Sequence, residues 1–413
     1  MKSHFLLSAA VLAVASAAFG SGFSLYEPST VSHAMGGALV GRAMDASANY
    51  NNPATLTDLT NIEVTVGFVT EHPRCQVRVM RNHVGMGDQN MDPGLFWLPH
   101  FQLAVPLPYG FAFGLGGSAE YGLGTLYDDN WAMDWNTRQT DVQGYVLNPN
   151  LAYKITDSWS LGLGARWLYF DFEQTKDPIT PSGPVAYRMK GDNRFESVGW
   201  QVGMKYDILD NLSVGVVYKA PIEVNVRGTS SARPLNTTLA NAATAMALCG
   251  SADASLTLPQ SVSAGVNWDI TPKWHLGFAA SWTQWSEFDT LVFNVKPQRN
   301  PVKLQWNDTW RASLGAAYDF ADDWTAMMSY TFDMDCCLDG KQDSAMLPPA
   351  HRNILGAGLR WRCWRGLELA LSYACIFTDG GSMDTADAAG NDYHLETCRG
   401  FCHAAGFSVT YRF

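Results

Sequence analysis

The feature that most constrains the fold is an alternation of apolar with small or polar side chains, repeated from about residue 60 to the end of the chain. In residues 159–169, Trp, Leu and Tyr at odd positions alternate with Ser, Gly and Arg at even positions. This period of two places one set of side chains on each face of a β-sheet. Residues 304–318 predict another such strand, with Leu304 and Trp306 on the same face as Trp310. The sequence therefore predicts an all-β protein.

A soluble β-sandwich would alternate in the same way, but three features favour a transmembrane barrel. Trp and Tyr residues stand at the ends of the apolar faces, as in an interfacial girdle. Short turns near 154–159, 207–211, 269–274 and 319–324 alternate with long polar connections, which is typical of outer-membrane barrels. The chain also ends in an alternating strand whose last residue is Phe413. Counting the runs predicts a closed antiparallel barrel of about 14 strands, since an open edge in lipid would leave backbone groups unsatisfied.

Composition excludes other classes. An aromatic content of 12% is too high for a disordered chain. The long apolar run Phe5–Phe19 stands alone, which excludes a bundle of membrane helices. A net charge of −11 predicts no nucleic-acid partner, because an acidic chain gains nothing from the release of counterions.

Residues 1–20 predict a secretory signal peptide. Lys2 supplies the positive charge, an apolar core follows, and Ala18-Phe19-Gly20 is a suitable cleavage site, so that the mature chain would begin at Ser21. Export permits disulfides among the eight cysteines, and pairing among Cys336, Cys337, Cys398 and Cys402 is favoured. No two C-x-x-C pairs occur at zinc spacing, so neither a metal nor another cofactor is predicted.

Residues 21–58 do not alternate, and residues 30–40 have helical character. This segment is long enough to fold back and plug the lumen of a barrel formed by residues 59–413. A flexible periplasmic tail is the alternative interpretation.

Several motifs resemble the FadL family of outer-membrane transporters. The matching stretches include the Gly22-Phe23 start, Asp45-Ala46-Ser47, Asn52-Pro53-Ala54, Asn148-Pro149-Asn150 and Trp282–Ser286. The resemblance covers the whole mature chain. It implies a passive transporter of long-chain fatty acids or, as in the TodX-like branch, of aromatic hydrocarbons.

The resemblance also implies a route. Substrate is captured at the outer face, passes a small helical hatch, and leaves sideways where the third strand, near residues 111–127, kinks inward. The expected hatch and gating residues are Asp45, Asn52, Pro53 and Ala54. The expected kink residues are Gly116, Gly117, Glu120, Tyr121 and Gly122. Glycines permit a bulge at such a kink, although they also relieve crowding inside a barrel.

Four residues are candidates for substrate contact. Lys176 falls where the family places a basic residue near the bound head group, and Phe23 is the expected apolar contact that controls release. Arg166 and Arg311 point inward by alternation; they bind a carboxylate head group or, equally, pair with hatch carboxylates such as Asp45. Glu120 is expected to repel an anionic head group at the exit. A neutral, aromatic compound therefore remains an alternative substrate.

Two other classes are less favoured. An outer-membrane enzyme would need a nucleophile and a base, and the nine scattered histidines form no such pattern. A diffusion porin shares the barrel but lacks an N-terminal plug. The sequence thus predicts a monomeric, non-enzymatic, multi-pass protein of a Gram-negative outer membrane. Its partners would be a hydrophobic small molecule, the surrounding lipid and, through Phe413, the barrel-assembly machinery.

Overall fold

The structure, a computed structural model, describes residues 22–288, 290–295, 298–337, 340, 342–378 and 380–413. Within these ranges, fourteen antiparallel strands pair in chain order, and the last also pairs with the first, so the sheet closes into a barrel. The predicted fold class is confirmed. The strands are β1 Glu63–Arg81, β2 Phe96–Pro106, β3 Phe111–Leu126, β4 Gln139–Lys154, β5 Trp159–Lys176, β6 Ser197–Leu209, β7 Leu212–Lys219, β8 Ser261–Thr271, β9 Trp274–Thr283, β10 Thr309–Ala321, β11 Trp324–Asp333, β12 Arg352–Trp364, β13 Leu367–Thr378 and β14 Asp392–Arg412.

The wall has an apolar outer face and a mixed inner face. On β5, Leu163 and Trp167 are 60% and 48% exposed on the outside, whereas Ser160 and Arg166 are buried on the inside. The predicted alternation of this strand is therefore correct. Among the described residues, no helix is long and apolar enough to cross a membrane.

The two ends of the barrel differ. At one end, short turns join successive strands, as between Lys154 and Trp159 or Thr271 and Trp274. Long connections at the other end carry further strands and the helix α3, so this end is extracellular by the usual asymmetry of such barrels. The additional elements are strands Val84–Met91, Ile179–Thr180, Gly183–Asp192, Ile222–Pro234, Gly250–Leu258, Thr290–Val295, Gln298–Lys303 and Ser382–Ala386, helix α3 Leu239–Ala247, and the 3-10 turns Pro108–Gly110 and Trp285–Glu287.

One predicted strand is wrong over its first part. Residues 304–308 are not in a strand, and β10 begins only at Thr309. Gln305 has a positive φ of 50°, which interrupts the extended backbone. Trp306 is consequently buried in the lumen, 3% exposed, while Trp310 lies on the outer face, 56% exposed.

Residues 22–58 fill the lumen as a hatch. Its regular elements are α1 Thr30–Ala34, α2 Ala48–Asn51 and the 3-10 helix Pro53–Asp58. The helical character predicted for residues 30–40 extends only to Ala34, because Gly36 and Gly37 adopt positive φ values of 62° and 76°. Most of this segment is buried against the inner wall.

The C-terminal part of the hatch is fixed to the wall. The Asn52 side-chain amide donates to the carbonyls of Val40, at 2.8 Å, and Met204, at 3.0 Å. Gly162 admits the hatch closely, since a Cβ there would lie 2.5 Å from the backbone nitrogen of Ala54. Asn52, Pro53 and Ala54 therefore form an anchored base.

Candidate functional site

The third strand departs from its regular pairing at Glu120. Its register with β4 shifts between Ala119 and Tyr121, which leaves Glu120 as the extra residue of a β-bulge. On the opposite edge, pairing with β2 ends at Ser118, which faces His100. Beyond Ser118, the edge of β3 that faced β2 is therefore free of that strand.

The beginning of the hatch pairs with β3 where β2 does not. The Leu25 N–H donates to the carbonyl of Glu120, and the Gly122 N–H donates to the carbonyl of Phe23, both at 2.9 Å. Ser24 and Tyr121 form an antiparallel bridge between these two bonds. The backbone groups of the bulge are thus satisfied by the hatch rather than by the wall.

An apolar cavity of about 370 Å³ adjoins this break in the wall. Residues of β2, β3 and the hatch contribute to its lining, among them Leu25, Phe96, Trp97, Leu98, Ala119 and Gly122. Trp97 is 57% exposed on the outer side. The lining of the cavity thus includes both hatch residues and a residue that is exposed on the outer side of the barrel.

The predicted kink glycines differ in their surroundings. A Cβ at Gly116 would lie 2.7 Å from Gln102 Oε1, so this glycine relieves crowding inside the barrel. A Cβ at Gly122 would lie 2.8 Å from Leu25 Cδ1, so Gly122 admits the hatch at the bulge. At Gly117 the nearest atom would be 4.0 Å away.

Glu120 is paired with two buried cations. Arg166 Nη2 donates to Glu120 Oε2 at 2.6 Å and also contacts the Tyr121 hydroxyl at 3.2 Å. Lys219 Nζ lies 3.8 Å from the same carboxylate oxygen and 3.1 Å from the centre of the Tyr50 ring. The carboxylate is thus neutralised, and the predicted repulsion of an anionic head group by Glu120 is not supported by this geometry.

Arg311 has a different set of partners. Its guanidinium lies 3.9 Å from the centre of the Tyr26 ring and 3.7 Å from the carboxylate of Asp333. Asp45 instead accepts hydrogen bonds from Ser29 Oγ, at 2.8 Å, and from Ser47. Neither Arg166 nor Arg311 pairs with Asp45, because serines of the hatch bond that carboxylate. Arg311 does interact electrostatically with another hatch carboxylate, Glu27.

Arg166, Lys219 and Arg311 line one small polar cavity of about 60 Å³. A water molecule occupies roughly 30 Å³ in the liquid, so this space fits a group about the size of a carboxylate. Arg166 and Lys219 share the carboxylate of Glu120, while Arg311 faces the carboxylates of Asp333 and Glu27. The basic side chains of this cavity are donors of the kind that bind an anionic head group.

Phe23 is the centre of a buried aromatic cluster at the start of the hatch. Its ring lies 4.9 Å from that of Trp285, 5.5 Å from Phe288, 6.0 Å from Trp306 and 6.1 Å from Tyr121, measured between ring centres. All five rings are buried. The hatch start is therefore held by apolar packing as well as by backbone hydrogen bonds.

Lys176 does not join this cluster. It ends β5 and lines a separate cavity of about 470 Å³ at the extracellular end, together with Trp135, Asn136 and Met346. Ten residues of strand separate Lys176 from Arg166, which corresponds to about 33 Å. Of the four predicted contact residues, Arg166 and Arg311 thus share one cavity, Phe23 lies in the aromatic cluster, and Lys176 lies apart at the extracellular end.

Lys219 and Trp306 were not among the predicted site residues. For Lys219, the alternation of β7 gives the signal, since Ser213, Val217 and Lys219 share its inner face. Trp306 carried no such signal, because its inward position depends on the turn at Gln305.

The cysteine prediction is also not met. All eight cysteines are free thiols in the structure, including Cys336, Cys337, Cys398 and Cys402. The sulfurs of Cys336 and Cys337 are 3.6 Å apart, well beyond the length of a disulfide bond.

A closed barrel with an apolar outer face, an N-terminal hatch and an apolar cavity at a break in its wall defines an outer-membrane transport protein. A model of the family described as outer membrane protein transport protein (OMPP1/FadL/TodX) matches residues 11–413. The chain belongs to this family, as its motifs indicated, and is an outer-membrane transporter of hydrophobic compounds.

The relatives and the solved structures match most of the length of this chain. The chain is 26% identical over 392 residues to the long-chain fatty acid transport protein of Escherichia coli O6:H1, with 86% of each chain covered. It is 23% identical over 420 residues to outer membrane protein P1 of Haemophilus influenzae, covering 90% of this chain and 89% of that protein. The crystal structure of a Pseudomonas aeruginosa FadL homologue superimposes with a TM-score of 0.81 at 21% identity, covering 95% of this chain and all of that one. For the Pseudomonas putida toluene transporter TodX the TM-score is 0.72 at 15% identity, with 95% and 100% covered.

Proposed function

We propose that this protein takes up long-chain fatty acids, or molecules of similar hydrophobicity, and releases them sideways between β2 and β3. The observation that carries the proposal is the apolar cavity of about 370 Å³ at the place where β3 pairs with the hatch instead of with β2. An apolar molecule that leaves through this gap enters lipid and never crosses the aqueous periplasmic mouth. The relatives named as fatty acid transport proteins support this choice of substrate.

The charges along the lumen support a substrate with an anionic head group. Lys176 lies at the extracellular cavity, where capture would take place, and Arg166 with Lys219 lies beside the bulge. Arg311 completes the inner cluster. A carboxylate would thus meet a cation at the entrance and again near the exit, while the aliphatic tail occupies apolar space.

In the proposed gating, the first residues of the hatch move and its base stays in place. The base of Asn52, Pro53 and Ala54 is held by buried hydrogen bonds of Asn52, and Asp45 is held by a buried hydrogen bond from Ser29. The moving part begins at Phe23, which is held by aromatic packing and two backbone bonds to β3. Displacement of Phe23 would open the bulge at Glu120, Tyr121 and Gly122 without dismantling the base.

Aromatic hydrocarbons are the second candidate substrates. The rings of Phe23, Trp285, Phe288 and Trp306 form a surface suited to a flat apolar ligand. The similarity in fold to the toluene transporter TodX is consistent with this second candidate. A hydrocarbon would not need the charged cluster.

We further propose how the protein is exported, assembled and placed in the membrane. Residues 1–20, which lie outside the described residues, would be removed as a signal peptide, leaving the hatch at 21–58 and the barrel at 59–413. The barrel would act as a monomer surrounded by outer-membrane lipid. Phe413, 70% exposed at the end of the chain, would be the residue that the assembly machinery recognises.

The test is uptake of a labelled long-chain fatty acid by cells that express the protein, with toluene as competitor and cells lacking the protein as control. We expect saturable uptake that depends on the protein. Competition by toluene would extend the specificity to hydrocarbons. Toluene entry without fatty-acid uptake would replace the first candidate by the second, and uptake of neither compound would contradict both.

A further inference from the structure

The connection after β11 brings together three side chains that bind metals. Among the described residues, Asp335, Cys336 and Cys337 form a buried group whose ligand atoms all lie within 4.8 Å of one another. The sequence predicted no metal, because two adjacent cysteines do not form the usual C-x-x-C spacing. The arrangement becomes visible only in the folded chain.

The carboxylate of Asp335 lacks an ordinary partner. The residue is 1% exposed, and neither carboxylate oxygen has a hydrogen bond of normal geometry. The groups that interact with it are the N–H groups of Cys336 and Cys337, the Cys337 thiol and, electrostatically, Arg352. A buried carboxylate in these surroundings is costly unless a cation neutralises it.

The two sulfurs are spaced for shared coordination. Their separation of 3.6 Å is close to the roughly 3.8 Å expected for two thiolates, each about 2.3 Å from one tetrahedral ion. The N–H group of Gly22 points to the Cys336 sulfur. Metal binding would displace the thiol protons, since the thiolate is the form that binds metals. Gln342 Oε1 lies 3.0 Å from the Cys337 sulfur and also accepts a hydrogen bond from Trp306 Nε1, so a water molecule or this oxygen would complete the coordination.

From this geometry we infer that Asp335, Cys336 and Cys337 form a binding site for a thiophilic divalent cation such as Zn²⁺ or Cd²⁺. Two thiolates and one carboxylate suit these ions, which accept sulfur and oxygen ligands in tetrahedral geometry. The resulting single negative charge would lie near Arg352, which interacts electrostatically with Asp335.

The site adjoins the start of the hatch. Arg352 Nη2 donates to the Gly22 carbonyl at 2.7 Å, and Cys336 and Cys337 pack in the same apolar cluster as Phe23. A bound ion would therefore hold the connection after β11 against the segment that begins the proposed gate. The site itself does not depend on which substrate the barrel transports.

The test is cadmium binding by the full-length protein, purified in detergent, reduced and treated with a chelator. Bound cadmium is counted by mass spectrometry, and the thiolate-to-metal charge-transfer band is recorded. We expect the wild type to bind one more equivalent than the double variant Cys336→Ser/Cys337→Ser. Asp335→Asn should weaken binding by at least about tenfold, equivalent to about 1.4 kcal/mol. Cys249→Ser, which removes an exposed thiol, is the matched control and should bind as the wild type does.

A second readout avoids substitutions. Bound cadmium should protect Cys336 and Cys337 of the wild type from alkylation, as detected by peptide mass spectrometry, while Cys249 stays reactive. Equal cadmium binding by the wild type and the double variant, or unprotected thiols at saturation, would overturn the inference. A disulfide between Cys336 and Cys337 in protein isolated without reductant would overturn it as well.

Discussion

At the scale of single residues, Glu120 organises the polar side of the gap. Arg166 approaches it to 2.6 Å and Lys219 to 3.8 Å, although the three residues come from different strands. Removing Arg166 would leave a buried carboxylate with weaker compensation, which is a strongly destabilising change. Lys219 is the better residue to test, because the closer ion pair remains when it is replaced.

We predict that Lys219→Met lowers fatty-acid uptake. The substitution keeps the length of the side chain but removes a cation that would attract a carboxylate. The apparent affinity should fall about tenfold, equivalent to about 1.4 kcal/mol. Concentration-dependent uptake of labelled fatty acid measures this change.

Toluene uptake should not change in Lys219→Met, since a hydrocarbon carries no charge. Lys273→Met, at a turn on the periplasmic side, serves as the control for the loss of a lysine. Equal losses for fatty acid and toluene would contradict an electrostatic role for Lys219.

The inward direction of Arg166 and Arg311 could be predicted from alternation alone. Their partners could not, because Glu120 is 46 residues from Arg166 and the pairing requires the closed barrel. Lys219 follows the same alternation on β7 and was within reach of the sequence pattern. The sequence pattern thus shows which side chains point into the barrel, but it does not show which of them contact one another.

At the scale of elements, the third strand combines two structural features, close-packed glycines and a β-bulge. Glycines permit the close approach of the hatch, and the bulge at Glu120 breaks the register with β4. The glycines predicted a kink in this strand. The bridge between Ser24 and Tyr121 could not be predicted, because residues 22–25 do not carry the alternation of a strand.

The prediction of a strand at residues 304–308 is wrong for a local reason. Its alternation was real, but the turn at Gln305 directs Trp306 into the aromatic cluster. Apolar residues that serve the lumen and apolar residues that face lipid look alike in the sequence. Only the packing around Phe23 distinguishes them.

Strand β14 gives a prediction about assembly. It pairs with β1 from Glu63 opposite Arg412 to Arg81 opposite Tyr393, and the Phe413 N–H donates to the Ile62 carbonyl at 3.0 Å. The Phe413 ring itself is exposed and contributes little to closure. Phe413→Ala should therefore lower the amount of protein in the outer membrane several-fold, as measured by membrane fractionation.

Refolding of Phe413→Ala into detergent should match that of the wild type, because the strand pairing is intact. Phe407→Ala, earlier on the same strand, is the matched substitution for the loss of an aromatic ring. Wild-type amounts of Phe413→Ala in the outer membrane would contradict recognition of the terminal residue.

At the scale of the whole molecule, the hatch occupies the lumen of the barrel. Most of residues 22–58 are buried against the inner wall, and hatch and wall residues together line the cavities of about 60 and 370 Å³. The wild type should therefore pass little steady ion current in a planar bilayer. Deleting residues 22–54 should open the lumen and produce a stable conductance.

The same recording tests the porin alternative. Large steady channels formed by the wild type would indicate a diffusion pore and contradict a sealing hatch. Circular dichroism of the deletion variant controls for a barrel that fails to fold.

Sideways release depends on the gap between β2 and β3, and one pair of variants tests this gap directly. Gly122→Leu would fill the cavity beside Leu25, whereas Gly117→Leu, on the same strand, adds a side chain where a Cβ has no neighbour closer than 4.0 Å. Uptake of labelled fatty acid is compared at equal amounts of protein on the cell surface. We predict that Gly122→Leu lowers uptake by at least about tenfold, equivalent to about 1.4 kcal/mol, and that Gly117→Leu behaves as the wild type. Unchanged uptake by Gly122→Leu would contradict sideways release through this gap.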